Sequence, residues 1–277
     1  MMNASPYKSL PVKATRVRKP NLCMIFWLGV FLSAAATGAW AIELNDVVRT
    51  LETPFQADSA KSTRIFDYSA DFSQESRIAS LDRMQRASGG IEVAFANQGH
   101  QKVTAVKFRW LYLQPTSQEI VSDGKTLWVY LPENNQVIQS DIETDKEARQ
   151  NDPMVFLTGL GNLSRDFLIG WALPSSDSDG NHVLELTPRQ ASPIISRLVI
   201  VIDHLAVEAY LQHEQRGGTD GIHFPIISIT VYDPNDNSTL IAFSNLRINL
   251  GIPESNFTFT IPEGVQVVRP PGREMGQ

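Results

Sequence analysis

The chain has 277 residues, 42% of them hydrophobic and 19% charged, with five histidines and a single cysteine. This allows a sizeable core and excludes a disordered chain, a disulfide scaffold and any cysteine-based zinc or iron–sulfur site within the chain. The net charge of −6 is uneven: residues 1–41 carry five Lys and Arg and no acid, leaving −11 on the rest. An acidic body argues against nonspecific binding to nucleic acid or to an anionic membrane face.

The N-terminus reads as an address. Basic residues from Lys8 to Lys19 precede an apolar run, Leu22 to Leu32, and then small residues ending in Ala39-Trp40-Ala41. That is the order of a secretory signal, with cleavage expected after Ala41 and export to a periplasm. The alternative is an uncleaved anchor, since residues 22–41 are about long enough to span a bilayer. Cys23 lies ahead of the hydrophobic run, the wrong place for a lipoprotein signal.

The body, residues 42–268, reads as one domain followed by a loose tail over 269–277. Residues 42–53 begin with a helical pattern: Leu44, Val47, Val48 and Leu51 share a face, and Pro54 closes it. From Ile65 the period changes to two. Strands are expected over 65–73, 90–96, 103–113, 126–131, 136–140, 182–187, 197–203, 226–233, 240–248 and 257–261. Turn residues such as Ser122-Asp123-Gly124 and Asp233-Pro234-Asn235 separate them. Short strands with hairpin punctuation predict an antiparallel meander. Within it, Asp152-Pro153 opens a short apolar helix that Gly159 and Gly161 limit, and 166–172 either continues it or forms a second short element.

Catalytic patterns are mostly missing. Gly124-Lys125-Thr126 resembles the end of a phosphate loop, but Glu119 stands where the upstream glycine belongs. His204, His213 and His223 lie near acids in a loop-like stretch without ligand spacing, so solvated surface is expected and no metal or other cofactor is assigned. No pair of carboxylates can be placed across a cleft from periodicity alone. What stands out is large apolar residues: Phe72, Phe108, Trp110, Leu113, Trp128, Tyr130, Met154, Phe156, Leu157 and Leu160. They fit an ordinary core. They also fit a sheet and apolar helix that close incompletely and leave a deformable lipid cavity.

The run Phe108-Arg109-Trp110, followed by Ile120-Val121-Ser122-Asp123-Gly124-Lys125-Thr126-Leu127-Trp128-Val129-Tyr130, resembles the LolA family of periplasmic lipoprotein carriers. Tyr68–Gln74, Asp152–Leu157, Leu184–Arg189, Phe243–Asn245 and Phe257–Val265 agree in order, so the likeness covers most of 43–268. The resemblance implies a mainly β fold with a helical lid (α+β), an incomplete antiparallel β-barrel around a hydrophobic cavity capped by short helices. It implies a non-enzymatic monomer whose cavity takes the acyl chains of lipoproteins. The implied partners are an inner-membrane ABC lipoprotein-releasing transporter and an outer-membrane lipoprotein receptor. A lipid-sensing or regulatory envelope protein on the same fold is the alternative.

Two departures stand out. Family members carry a basic residue and a proline four positions before Phe-x-Trp, thought to hold the lid closed. Thr104 and Ala105 stand there, with Lys102 and Lys107 as the candidate substitutes. Lysine lacks the guanidinium fork and clamps more weakly. The stretch 206–222 is also longer than a usual hairpin and is expected to be a decorated loop or a partner surface.

Overall fold

The computed structural model describes residues 42–56, 59–96, 105–141, 160–216 and 222–269. The described chain opens with helix α1, Leu44–Glu52, whose start is held by a capping box between Glu43 and Asp46. A tight turn at Thr53–Phe55 follows, where Pro54 ends the helix.

Twelve strands form one sheet. Six run down the first half: β1 (Asp67–Ile78), β2 (Arg83–Ala96), β3 (Ala105–Gln114), β4 (Gln118–Ser122), β5 (Thr126–Leu131) and β6 (Gln136–Asp141). After a short helix α2 (Leu163–Asp166) come β7 (Phe167–Ser176), β8 (His182–Pro188) and β9 (Arg197–Ile202). Helix α3 (His204–Arg216), β10 (Ile226–Tyr232), β11 (Ser238–Ile248) and β12 (Gln266–Val268) complete the chain. The order across the sheet is β12-β6-β5-β4-β3-β2-β1-β11-β10-β9-β8-β7. Two meanders are therefore zipped together where β1 pairs with β11, and β12 adds parallel to β6. β7 and β12 end the order, so the sheet is not closed into a barrel. The mainly β, unclosed antiparallel architecture thus matches the expectation.

Several elements differ from the sequence reading, among them β4 and β12, which form where no strand is expected. Residues 257–261 form no strand: Glu254–Phe257 is a 3-10 turn followed by extended chain. β7 is a full edge strand where a short element was expected. The loop-like stretch holding His204 and His213 is the helix α3, thirteen residues long. Its N-cap is Asp203, whose carboxylate accepts from the Leu205 amide at 2.9 Å.

Directly paired residues of antiparallel strands share a face, so the registers sort the sheet into two sides. One side is the core face. Tyr68, Ala70 and Phe72 of β1 lie there with Ile91, Val93 and Phe95 of β2 and Trp110 of β3. The second meander adds Leu184, Leu186, Leu198, Ile200, Ile202, Ile229 and Ile241. Val47 and Leu51 of α1 and Val207 of α3 pack into the same cluster, so both helices cover this side. Leu160 and Leu163 join them, with Gly161 passing so close that a Cβ would lie 3.0 Å from the Phe55 carbonyl. Among the described residues no helix is long and apolar enough to cross a membrane.

Candidate functional site

The core face carries two groups of rings. Phe72 stands 4.6 Å from Trp110 and 5.1 Å from Tyr112, centroid to centroid. Tyr68, four residues before Phe72 on the same face of β1, lies 4.7 Å from Phe224 and 6.1 Å from Phe95. Phe55 contacts both of those phenyl rings, and Phe243 continues the row at 6.4 Å from Phe224. The apolar surface ends in a polar border. Tyr112 donates to Gln74 Oε1 at 3.0 Å, Gln74 reaches Ser76 at 3.1 Å, and Ser76 meets Thr239 at 3.2 Å. Tyr68 is wholly buried, and burial pushes its phenol far up, so it stays protonated.

This face brings together some of the expected site residues and separates others. Phe72, Trp110 and Leu160 are buried in one cluster, with half-buried Phe108 packed against it. Trp128 and Tyr130 lie on the opposite side. Trp110 pairs with Ile120 and Ile120 with Val129, which places Val129 on the core face and turns its neighbours Trp128 and Tyr130 away. This corrects the expectation that they share a surface with Trp110. Leu113 is 62% exposed and is the residue skipped where β3 bulges against β2. Met154, Phe156 and Leu157, together with Lys102, lie outside the described residues.

The far side of β3–β6 has its own cover. The segment from Glu254 to Phe259 crosses it as a strap. Phe257 is buried there, and Phe259 sits 5.6 Å from Tyr130 and 6.4 Å from Trp128. Lys107 pairs with Glu254, and Asn256 donates to Glu92 at 2.9 Å. The described contact of Lys107 is therefore with the strap.

The sequence reading did not single out Tyr68, Tyr112, Phe224 or Phe243 as site residues. The usable signal was alternation: Tyr68, Ala70 and Phe72 fall on one side of a period-two strand. Where 160–166 approaches α1, Gln56 donates to the Gly161 carbonyl at 3.2 Å, and Ser164 N donates to the Glu52 carboxylate. Burial raises the Glu52 pKa against that bond. A separate shallow, open cleft lies between α1, α3 and His223, lined in part by Thr50, Tyr210 and His213. No cluster of three or more metal-ligating side chains occurs among the described residues.

Residues 64–260 match the family model described as outer membrane lipoprotein carrier protein LolA. The chain belongs to the LolA family. An outer-membrane lipoprotein carrier protein from Bordetella pertussis is 30% identical over 244 residues, 87% of this chain and 95% of the relative. One from Chromobacterium violaceum is 27% identical over 223 residues, 79% of this chain and 91% of the relative. Among solved structures, a LolA superfamily protein from Nitrosomonas europaea aligns over 79% of this chain and 99% of that one. Its identity is 15% and its TM-score 0.36, a likeness that adds nothing to the family match. LolA members are non-enzymatic carriers, and this chain is one of that class.

Proposed function

We propose that this LolA-family chain is a periplasmic chaperone that takes up the acyl chains of lipoproteins leaving the inner membrane. It then delivers them to an outer-membrane receptor. The observation that carries the reading is the family match over 64–260. The apolar, ring-rich core face of the sheet is consistent with it. The reading includes export by a signal cleaved after Ala41, loading by an ABC lipoprotein-releasing transporter, and action as a monomer. Phe72, Phe108, Trp110 and Leu160 are the described residues proposed to meet acyl chains, with Met154, Phe156 and Leu157 as further candidates.

The physics suits a carrier. Burying an acyl chain is worth about 0.8 kcal/mol per methylene, so a triacylated molecule does not cross water unaided. Transfer from one apolar chamber to another is nearly neutral in buried area. Small affinity differences and the energy used at loading then set the direction, and no catalytic side chain is required.

The test is extraction. Inner-membrane vesicles holding a triacylated lipoprotein and the releasing transporter are given ATP and the purified protein. A soluble lipoprotein–carrier complex is expected. Retention of the lipoprotein in the vesicles under those conditions overturns the reading.

A further inference from the structure

Among the described residues, Tyr68 and Trp110 each carry a core-face polar atom that has no hydrogen-bond partner. Tyr68 Oη and Trp110 Nε1 are both buried and unpartnered, in side chains 0% and 1% exposed. Leaving such a group unsatisfied in an apolar interior is costly, and phenylalanine would fill the same space as Tyr68 without that cost. Tyr112 makes the contrast. Its hydroxyl, on the same face, is bonded to Gln74 at the polar border. The two orphans belong to one surface, since Tyr68 and Phe72 project from the same side of β1 and the Phe72 ring lies against Trp110.

We infer that Tyr68 Oη and Trp110 Nε1 are hydrogen-bond donors for the carbonyl oxygens of a bound acyl ligand. An indole N–H can only donate. A phenol held protonated by burial donates equally well. Both atoms therefore call for an acceptor within a mostly apolar molecule. An acyl ester or amide offers a strong acceptor, its carbonyl oxygen, where the hydrocarbon chain begins. A carboxylate would accept too, but burying its charge without a cation is far more costly. The inference rests on the carrier reading and deepens it: the protein distinguishes acyl chains from plain hydrocarbon by their carbonyls.

The experiment compares two uncharged lipids of equal chain length, a diacylglycerol and the corresponding dialkylglycerol ether, which lacks carbonyls. Each is titrated into the exported, purified protein and into its Tyr68→Phe variant. The wild-type protein is expected to prefer the ester by about three- to tenfold for each bond made. In Tyr68→Phe that preference shrinks because ester affinity falls more than ether affinity, and the ligand-free melting temperature is equal or higher. A second variant, Trp110→Phe, should narrow the preference in the same way. Equal affinity for ester and ether in the wild type, or a preference untouched by Tyr68→Phe, overturns the inference while leaving the carrier reading intact. Failure of both lipids to bind overturns the carrier reading and the inference together.

Discussion

Arg109 donates from Nη1 to the backbone carbonyl of Asn256 at 2.9 Å, and its Nη2 pairs with Glu119. Its neighbour Trp110 points to the other side of the sheet, into the core. Adjacent residues of Phe108-Arg109-Trp110 thus serve opposite faces: the rings build the apolar surface, and the guanidinium fastens the strap behind it. The planar fork suits this task, since it can satisfy a carbonyl and a carboxylate at once.

Replacing Arg109 by Ala should therefore loosen the strap. The loss removes a charge-assisted bond and leaves the mostly covered Glu119 without its cation, a destabilisation of about 2 kcal/mol. Urea denaturation should show the drop, and amide exchange should accelerate over 254–259. Arg109→Lys should recover only part of it, because one ammonium cannot reproduce both contacts.

Substitutions on the two faces should have different consequences. Phe259→Ala removes a ring from Trp128 and Tyr130 and should cost about 1–3 kcal/mol of stability, with acyl-probe affinity unchanged. Phe108→Glu on the core face should impair acyl loading with little loss of fold, as read by probe titration beside circular dichroism. Global unfolding of Phe108→Glu would instead show that its surroundings are a closed core that tolerates no charge.

Much of the fold was legible because both meanders obey period two: β1 to β3, β5, β6 and β8 to β11 all appear near their expected places. The faces were harder to read. Leu127-Trp128-Val129-Tyr130-Leu131 is apolar on both sides, so alternation separates Trp128 from Val129 without saying which faces the core. Both sides are covered, one by the core and one by the strap. The strap itself mimics a strand. Phe257 and Phe259 alternate inward as strand residues would, but they bury against side chains without ladder pairing. β7 was obscured by Gly170 and Pro174, which edge strands tolerate. For α3, the Asp203 N-cap and the i, i+4 spacing of Ala206 and Tyr210 were the available signals.

Gly89 is fixed by close approach. A Cβ there would stand 1.8 Å from the Leu111 carbonyl oxygen and 3.0 Å from the Phe72 ring. The backbone of β2 or β3 would have to move, just where the strands shift register. Gly89→Ala should cost about 2–3 kcal/mol. The change should appear as a lower denaturation midpoint and as perturbed fluorescence of the nearby Trp110.

His182 should give stability a pH dependence. It sits on β8 opposite Ile202, its ring 5.7 Å from Trp171, with Nε2 buried and unpartnered. Burial, and then the nearby His204, lower its pKa from the ordinary 6.5, while Glu208 opposes the shift weakly. The folded state therefore favours the neutral ring. Between the lowered value and 6.5 the unfolded chain binds more protons, so stability is full above pH 6.5 and falls as the pH drops below it. His182→Gln removes the titration and should flatten that part of the profile, measured as urea midpoints across pH 4.5 to 7.5 (roughly two units below the unfolded value to one above). An unchanged slope in the variant would assign the acid sensitivity to other groups.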